Sequence, residues 1–393
     1  MKRRDFLTLA ATLPLTLHAT RLLAAPATDQ RLLVVFMRGA YDAASLLIPQ
    51  NDFYYESRST IAIARAGSAA GAALPLADDW GLHPALADSL LPYYQRGELA
   101  FLPFAGTDDV TRSHFETQNR IERGAAAADG ASRQTSGFLN RLAAQLGMPA
   151  AAFTQDVPQI FRGQASVPNI NLAGSARKAR LDDDHDRIIA NMYEGTGLAS
   201  TVTEGMQIKG AAQRMDAEQA EANGKSLTVT RLQAEARRIA GFMRDRYNLG
   251  FVDVGGWDTH INQGGAQGQL SGKLGQLGQA LASYAQAMGP AWKKTTVVVI
   301  SEFGRTFREN GTRGTDHGHG TVYWVMGGQV RGGRIAGEQV AVQPGKLFQD
   351  RDYPVLNEYR AVFAGLFSRL YGLDDKRLAA IFPGVRPLDL KLV

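Results

Sequence analysis

Residues able to perform metal or acid–base chemistry are concentrated in four segments, each of which directly follows a short apolar run. These segments carry Asp42; Asp108, Asp109, Ser113 and His114; Asp258 and His260; and Glu302, Asp316, His317 and His319. The chain has seven histidines, and four of them lie in these segments. Carboxylates and imidazoles suit Zn, Mn, Mg or Ca. The pattern therefore favours a site for one or two divalent metal ions.

Structural roles remain open for the same residues. Asp258 could cap a helix while His260 packs, and residues 316–319 could form a solvent-exposed glycine-rich loop. His83 is expected to pack or cap, and His185 lies in an acidic run typical of a solvated face.

Ser113 has two compatible interpretations. Its spacing from Glu116 is that of a capping box at the start of a helix. A hydroxyl at a helix N-terminus is also well placed for nucleophilic attack, because free N–H groups and the helix dipole stabilise a bound anion there. Arg112 and Arg305 could pair with an oxyanion or with a surface carboxylate.

The apolar runs preceding these segments predict the fold. They are residues 32–37, 99–104, 249–254, 295–300 and 322–326. Unbroken apolar runs alternating with helical patterns are typical of strands buried on both faces of a mostly parallel sheet. In such a sheet, ligands bind beyond the carboxyl ends of the strands. We therefore expect a doubly wound, mostly parallel α/β sheet flanked by helices, with the polar segments along one edge.

The predicted domain spans residues 26–393. Helical periodicity recurs from Leu232 and over residues 268–288. Residues 174–230 are charged and alanine-rich and are predicted to form a helical cap insertion on the same domain.

The first 25 residues have the features of an export signal. Lys2, Arg3 and Arg4 precede a moderately apolar stretch, and small residues allow cleavage after Ala25 or Ala27. The Arg3-Arg4 pair resembles a twin-arginine signal; an ordinary secretory signal is the alternative. No other run is long enough for a stable membrane span. The protein is thus expected to be periplasmic or extracellular, with the twin-arginine translocase as a partner.

Charge and cysteine content exclude other classes. The net charge is +5, and removing residues 1–25, which carry Lys2, Arg3, Arg4 and Arg21 against Asp5, leaves about +2. This balance gives no case for nucleic-acid binding. The absence of cysteine excludes disulfides, thiolate ligands and a cysteine nucleophile.

The motif series resembles one family. The segments are "VVFMRGAYDAASLLIP", "GLHPAL", "RSHFETQ", "GFLNR", "GGWDTH", "VVVISEFGRTFREN", "GTDHGHG" and "FPG". In this order they resemble the exported family of domain of unknown function 1501, which is itself similar to the alkaline phosphatase and sulfatase superfamily. The resemblance implies an alkaline-phosphatase-like fold.

The superfamily resemblance also implies roles. Ser113 would be the nucleophile, with Arg112 or Arg305 holding the non-bridging oxygens. The implied metal ligands are Asp42, Asp258, His260, Glu302, Asp316, His317 and His319. The chain departs from the superfamily at Glu302-Phe303, where Asp-His is usual, and at Arg38-Gly39, where Asp-Gly is usual.

The leading hypothesis is a metal-dependent hydrolase of phosphate or sulfate esters, acting on a small-molecule or glycan ester. The alternative is a catalytically degenerate periplasmic protein that binds an envelope component or a partner. Phe303, in place of the second imidazole, favours this alternative.

Overall fold

The computed structural model describes residues 29–77, 79–128, 135–172, 189–203, 205–206 and 231–393. The strands are β1 (Arg31–Met37), β2 (Leu47–Pro49), β3 (Leu74–Pro75), β4 (Trp80–Leu82), β5 (Leu99–Gly106), β6 (Ala150–Ala152), β7 (Leu249–Val254), β8 (Thr295–Ser301), β9 (Thr321–Gly327), β10 (Arg334–Ile335) and β11 (Asn357–Glu358). The helices are α1 (Ala43–Leu46), α2 (Asp52–Ser57), α3 (Leu91–Gln95), α4 (His114–Arg123), α5 (Phe138–Leu146), α6 (Arg231–Asp245), α7 (Gln269–Met288), α8 (Tyr359–Tyr371) and α9 (Asp375–Ile381).

An eight-stranded sheet forms the centre of the molecule. Its order is β10-β5-β9-β8-β1-β7-β6, with β11 paired to β5. All of its pairings are parallel except the two made by β9, which runs antiparallel to β5 and β8. The predicted mostly parallel, doubly wound sheet is confirmed, and each of the five apolar runs lies in one of its strands. A smaller antiparallel sheet, β2-β4-β3, lies apart from it.

The strands are apolar throughout because both faces of the sheet are covered. Along β1, Leu33 and Val35 pack into one core, and Leu32 and Val34 into the other. The first core includes side chains of α6 and α7, and the second those of α5, α8 and α9. Side chains that alternate along one strand thus pack into two separate cores.

Strand direction brings the polar segments to one edge. Because β1, β5, β7 and β8 are mutually parallel, their carboxyl ends lie on the same side of the sheet. The antiparallel β9 begins on that side, so residues 302–320 leave the sheet from β8 and return to the same edge. The polar residues that follow β1, β5, β7 and β8 therefore lie close to those that precede β9.

The export signal (residues 1–25) and most of the predicted helical insertion lie outside the described residues. Within the insertion, residues 189–193 and 199–203 are helical. No helix in the described ranges is long and apolar enough to cross a membrane.

His83 is a fully buried structural residue. Its Nδ1 accepts a hydrogen bond from the Ala85 N–H at 3.0 Å, and its Nε2 donates to the Gly265 carbonyl at 3.2 Å. Burial lowers the pKa of His83 to about 4, against the hydrogen bond to Gly265, which favours the charged ring. His83 is therefore neutral in the native state, as a capping residue with one acceptor and one donor nitrogen requires.

Acidification is expected to weaken the fold through His83. In the unfolded chain His83 takes up a proton near pH 6.5, whereas the native state resists until about pH 4. The contribution of neutral His83 to the free energy of unfolding is thus complete above pH 6.5. It declines by about 3 kcal/mol as the pH falls to about 4. Urea unfolding of wild type and His83→Asn at pH 7.5 and 4.5 measures this. Equal pH dependence in both proteins would contradict a depressed pKa.

Candidate metal centre

Three imidazoles and one carboxylate converge at the carboxyl edge of the sheet. The Nε2 atom of His317 lies 3.0 Å from His114 Nε2 and 3.2 Å from His260 Nε2. Asp258 Oδ1 lies 2.9 Å from His260 Nε2 and 3.2 Å from His317 Nε2, and Asp258 Oδ2 lies 3.5 Å from His114 Nε2. The potential ligand atoms of His114, Asp258 and His317 all lie within 4.8 Å of one another.

Different elements supply these four residues. His114 is the first residue of α4, reached from the end of β5. Asp258 and His260 lie in the segment that follows β7, and His317 precedes β9. The cluster therefore depends on the parallel arrangement of β5 and β7 and on the reversed direction of β9.

Each histidine of the cluster is fixed by an acceptor at Nδ1. His114 Nδ1 lies 2.8 Å from Glu302 Oε1, His260 Nδ1 lies 3.2 Å from Asp316 Oδ1, and His317 Nδ1 lies 3.0 Å from the Arg112 carbonyl. An acceptor at Nδ1 requires Nδ1–H, which leaves the lone pair on Nε2 in each neutral ring. In the neutral rings, three Nε2 lone pairs and a carboxylate thus face one another, an arrangement that a bound cation would stabilise.

The donor set suits zinc. A tetrahedral zinc site with bonds of 2.0–2.1 Å has ligand atoms about 3.3 Å apart, close to the separations seen here. Metal-bound histidines ordinarily donate their second N–H to a carboxylate or carbonyl, as these three do. His317 Nδ1 is occupied by the Arg112 carbonyl, so its single Nε2 lone pair can bind one ion only. His114, Asp258 and His317, whose potential ligand atoms all lie within 4.8 Å of one another, therefore fit a divalent ion, and His260 Nε2 lies beside them at 3.2 Å from His317 Nε2.

The ionisation of the carboxylates favours a cation. Burial tends to raise the pKa of Asp258, but the adjacent Arg305 guanidinium outweighs it and holds this pKa below its usual value. Hydrogen bonds from His114 and Gln118 likewise outweigh burial and lower the pKa of Glu302. The hydrogen bond with Glu302 raises the pKa of His114. At neutral pH both carboxylates are ionised.

Glu302 supports His114 instead of facing the cluster. It is fully buried, and its Oε1 accepts hydrogen bonds from His114 Nδ1 at 2.8 Å, from the Gly39 N–H at 2.7 Å and from Gln118 Nε2 at 2.8 Å. Phe303, which follows it, stacks on His114 with 4.9 Å between ring centroids. Its carboxylate therefore orients a histidine of the cluster.

Asp316 and His319 are also outside the converging group. Asp316 Oδ1 faces His260 Nδ1 and accepts a hydrogen bond from Asn310 Nδ2 at 3.0 Å. His319 is buried against Phe348, with 4.6 Å between ring centroids, and its Nδ1 has no hydrogen-bond partner among the described residues.

Asp42 lies in a buried ion pair. Its carboxylate accepts hydrogen bonds from Arg58 Nη1 at 2.5 Å and Nη2 at 2.9 Å, and from Gln263 Nε2 at 2.6 Å and Ser45 Oγ at 2.7 Å. Asp42 and Arg58 are both essentially inaccessible to solvent. Asp42 is thus neutralised by the Arg58 guanidinium, and it does not join the other predicted ligands at the cluster.

Two residues with predicted catalytic roles, Ser113 and Arg112, lie at the start of α4. Ser113 caps the helix, its Oγ accepting the Glu116 N–H at a long 3.5 Å. Arg112, whose φ is +55°, donates from Nη2 to Asp352 Oδ2 at 2.7 Å and to Gln349 Oε1 at 2.7 Å. The Arg112 side chain is therefore already paired, while its carbonyl orients His317.

Arg305, the third predicted catalytic residue, is buried behind Asp258. Its guanidinium hydrogen-bonds Asp258 Oδ1 and both the carbonyl and the hydroxyl of Thr315. Its backbone pairs antiparallel with His317. A Cβ on Gly318 would lie 2.5 Å from the Arg305 carbonyl carbon and oxygen, so the residue between the two histidines must be glycine. Arg305 thus orients Asp258, and Gly318 permits the close backbone approach that places His317.

His114 is the residue of the cluster that the ligand prediction missed. The sequence did contain a signal, since His114 is one of the four histidines grouped in the segments after apolar runs. The capping-box spacing of the neighbouring Ser113 was a more specific pattern than the grouping of histidines, so Ser113 was singled out and His114 was not.

A comparison with curated protein sequences finds no match. Solved structures similar to the chain include a protein of the alkaline phosphatase superfamily from Vibrio parahaemolyticus, with 12% identity, a TM-score of 0.39, and 88% of this chain and 68% of that chain covered. The C-terminal periplasmic domain of EcEptC from Escherichia coli is similar with 11% identity, a TM-score of 0.41 and coverages of 92% and 88%. The alkaline phosphatase of the Antarctic bacterium TAB5 has 11% identity, a TM-score of 0.33 and coverages of 76% and 90%.

A family model described as "Protein of unknown function (DUF1501)" matches residues 29–382. This range includes His114, Asp258, His260 and His317 and every strand of the central sheet. The motif-based prediction of the family is confirmed: the chain belongs to the DUF1501 family.

Proposed function

We propose that this protein is a metal-dependent hydrolase of phosphate or sulfate esters. The observation that carries the proposal is the convergence of the Nε2 atoms of His114, His260 and His317 with the Asp258 carboxylate. These side chains are 27–40% exposed, so a substrate can reach them. Three nitrogen ligands and one carboxylate favour a single zinc over magnesium or calcium, which prefer oxygen.

Bound there, a divalent ion would act as a Lewis acid on a phosphoryl or sulfuryl oxygen. Ser113 is the proposed nucleophile, since it is the residue before His114 and, within the described part of the chain, its Oγ makes only a long contact to the Glu116 N–H. Arg305 and Glu302 hold Asp258 and His114 in place. The free N–H groups of the first turn of α4 favour an anion beside Ser113.

Hydrolysis of aryl phosphates and aryl sulfates by zinc-loaded protein tests this function. We expect turnover in the wild type and a loss of at least about 100-fold in kcat for Ser113→Ala, because the attacking group is removed. Ser368→Ala, which removes a hydroxyl bonded to the Leu373 carbonyl in α8, is the matched control. No turnover of either ester class by zinc-loaded protein would refute the hydrolase, and unchanged kcat in Ser113→Ala would refute the serine nucleophile.

A binding protein is the second candidate, favoured by one observation. Phe303 stands where the superfamily resemblance implies a second imidazole, and its ring packs against His114 and His317. A protein that binds zinc, hydrolyses neither ester class and retains a co-purifying envelope component would fit this candidate.

We propose that residues 1–25 are an export signal recognised by the twin-arginine translocase. Replacing Arg3 and Arg4 with lysine is expected to retain the precursor in the cytoplasm, because this pathway requires the arginine pair. Cell fractionation of the wild type and the Lys-Lys variant measures this, with Arg21→Lys as the control. Normal export of the Lys-Lys variant would instead indicate an ordinary secretory signal.

A further inference from the structure

A segment outside the four polar segments singled out in the sequence packs against the metal cluster. Residues 349–352 lie between β10 and β11, and Asp352 in this segment is fully buried. Its carboxylate accepts hydrogen bonds from two arginines, Arg112 and Arg351. Each of these arginines also contacts His317 of the cluster. Asp352 is therefore connected to a potential metal ligand through two different side chains.

The first connection is made by Arg112. Its Nε and Nη2 both donate to Asp352 Oδ2, at 3.2 and 2.7 Å, and its carbonyl lies 3.0 Å from His317 Nδ1. Because this acceptor keeps the proton on Nδ1 of the neutral ring, the Nε2 lone pair is left for a metal ion. Asp352 thus holds the residue that selects the tautomer and the orientation of the His317 ring.

The backbone of Arg112 depends on such contacts. Its φ of +55° lies in the left-handed region, and Gln349, which accepts a hydrogen bond from the same guanidinium, has a φ of +54°. A residue with a Cβ adopts this conformation at a cost in free energy, so the conformation persists only where surrounding contacts fix it. Arg112 directly precedes Ser113, the N-cap of α4, and His114 is the first residue of that helix. The ion pair with Asp352 therefore bears on the position of His114 as well.

The second connection is made by Arg351. Its Nη1 donates to both carboxylate oxygens of Asp352, at 3.2 and 3.1 Å. Its Nη2 donates to the His317 carbonyl at 2.9 Å. Arg351 thus holds the backbone of His317, while the Arg112 carbonyl holds its ring.

We propose that Asp352 is a positioning residue of the metal centre, which places His317 through Arg112 and Arg351 and does not itself contact the metal ion. The inference rests on metal binding by the proposed hydrolase and not on its reaction. A residue that hydrogen-bonds a metal ligand typically changes the affinity for the metal by about 10- to 100-fold. Because Asp352 acts through one further residue, we expect an effect of about tenfold, at the lower end of this range.

The zinc affinity of Asp352→Asn, measured by competition with a zinc chelator, tests the inference without requiring hydrolysis. The amide has nearly the shape of the carboxylate but lacks its charge and one acceptor oxygen, so its hold on both arginines is weakened. We expect zinc affinity to fall by about tenfold. We also expect an altered absorption spectrum of the cobalt(II)-loaded protein, which reports the coordination geometry. Asp42→Asn is the matched control, because it makes the same change in another buried carboxylate paired with an arginine, and it should leave both readouts of the folded protein unchanged.

Arg351→Met provides a second variant in case Asp352→Asn does not fold. The Arg351 side chain is 39% exposed, so its replacement is expected to leave the fold intact. We expect a loss of zinc affinity of about tenfold and a changed cobalt spectrum, because the donor to the His317 carbonyl is removed. The double variant should lose less affinity than the product of the two single losses, since both residues act on His317.

Three results separate the outcomes. Unchanged zinc affinity and an unchanged cobalt spectrum in folded Asp352→Asn, or in Arg351→Met if that variant does not fold, would overturn the inference. An equal loss of zinc affinity in Asp42→Asn would also overturn it, because the effect would then follow from a general loss of stability. If zinc affinity depends on Asp352 but neither ester class is hydrolysed, the proposed catalysis fails and the role of Asp352 stands.

Discussion

Replacing His317 with alanine is expected to lower zinc affinity by more than about 100-fold, so that protein purified without chelator contains almost no metal. His317 Nε2 lies within 3.2 Å of potential ligand atoms of His114, His260 and Asp258, so it contacts every other side chain of the cluster. Losing a residue that only hydrogen-bonds a metal ligand lowers the affinity for the metal by about 10- to 100-fold, and losing a ligand itself should lower it further. Wild type is expected to hold about one zinc per chain and to bind magnesium weakly.

Elemental analysis and competition with a zinc chelator measure these affinities, and thermal unfolding with added zinc gives an independent reading. His319→Gln is the matched control, because His319 was predicted as a ligand but is buried against Phe348. We expect His319→Gln to retain zinc. Loss of zinc from His319→Gln, with retention by His317→Ala, would reverse the assignment.

Replacing Asp42 with alanine is expected to destabilise the fold by about 3–5 kcal/mol while the folded protein still binds zinc. The substitution leaves the Arg58 guanidinium buried with no counter-charge, and removing one partner of a buried pair is costly for this reason. Burial tends to raise the pKa of Asp42, but Arg58 outweighs it and holds this pKa below its usual value. The stabilisation is therefore complete above about pH 4 and is lost as the pH falls through the depressed native pKa.

Urea unfolding provides the measurement, with Asp52→Ala as the control. Asp52 pairs with Arg65 at the surface, where both side chains are more than half exposed, and its removal should cost less than about 1 kcal/mol. The double variant Asp42→Leu with Arg58→Met should recover much of the stability, because it removes both charges. Loss of zinc from the folded Asp42→Ala variant would instead indicate that Asp42 is a metal ligand.

The sequence predicted the strands and the central sheet because the signals for them are local. An unbroken apolar run such as residues 295–300 identifies a strand covered on both faces, and the polar residues after it must lie at the edge. The direction of β9 could not be predicted from "VYWVM", since burial on both faces gives the same composition in either direction. The hydrolase, the export route and the catalytic serine stay predictions.

The role of each polar residue depended on partners far away in the chain. Asp42 and Gln263 are 221 residues apart, and His114 and Glu302 are 188 apart. A carboxylate after a strand can bind a metal, orient a histidine or neutralise an arginine, and only the partner decides between these roles. Glu302 and Asp316 hydrogen-bond histidines of the cluster, whereas Asp42 neutralises Arg58.

The excursion of residues 302–320 from β8 to β9 is held at both ends by the central sheet. Its two ends are attached to neighbouring antiparallel strands, about 4.8 Å apart, so the gap to be closed is the same wherever such a strand pair exists. It carries His317 together with Arg305, which orients Asp258. Contacts outside the sheet also fix this loop, because Asn310 Nδ2 donates to the His260 carbonyl and Arg58 Nε donates to the Phe307 carbonyl. The position of His317 therefore depends on the segments packed around the loop as well as on the strand pair.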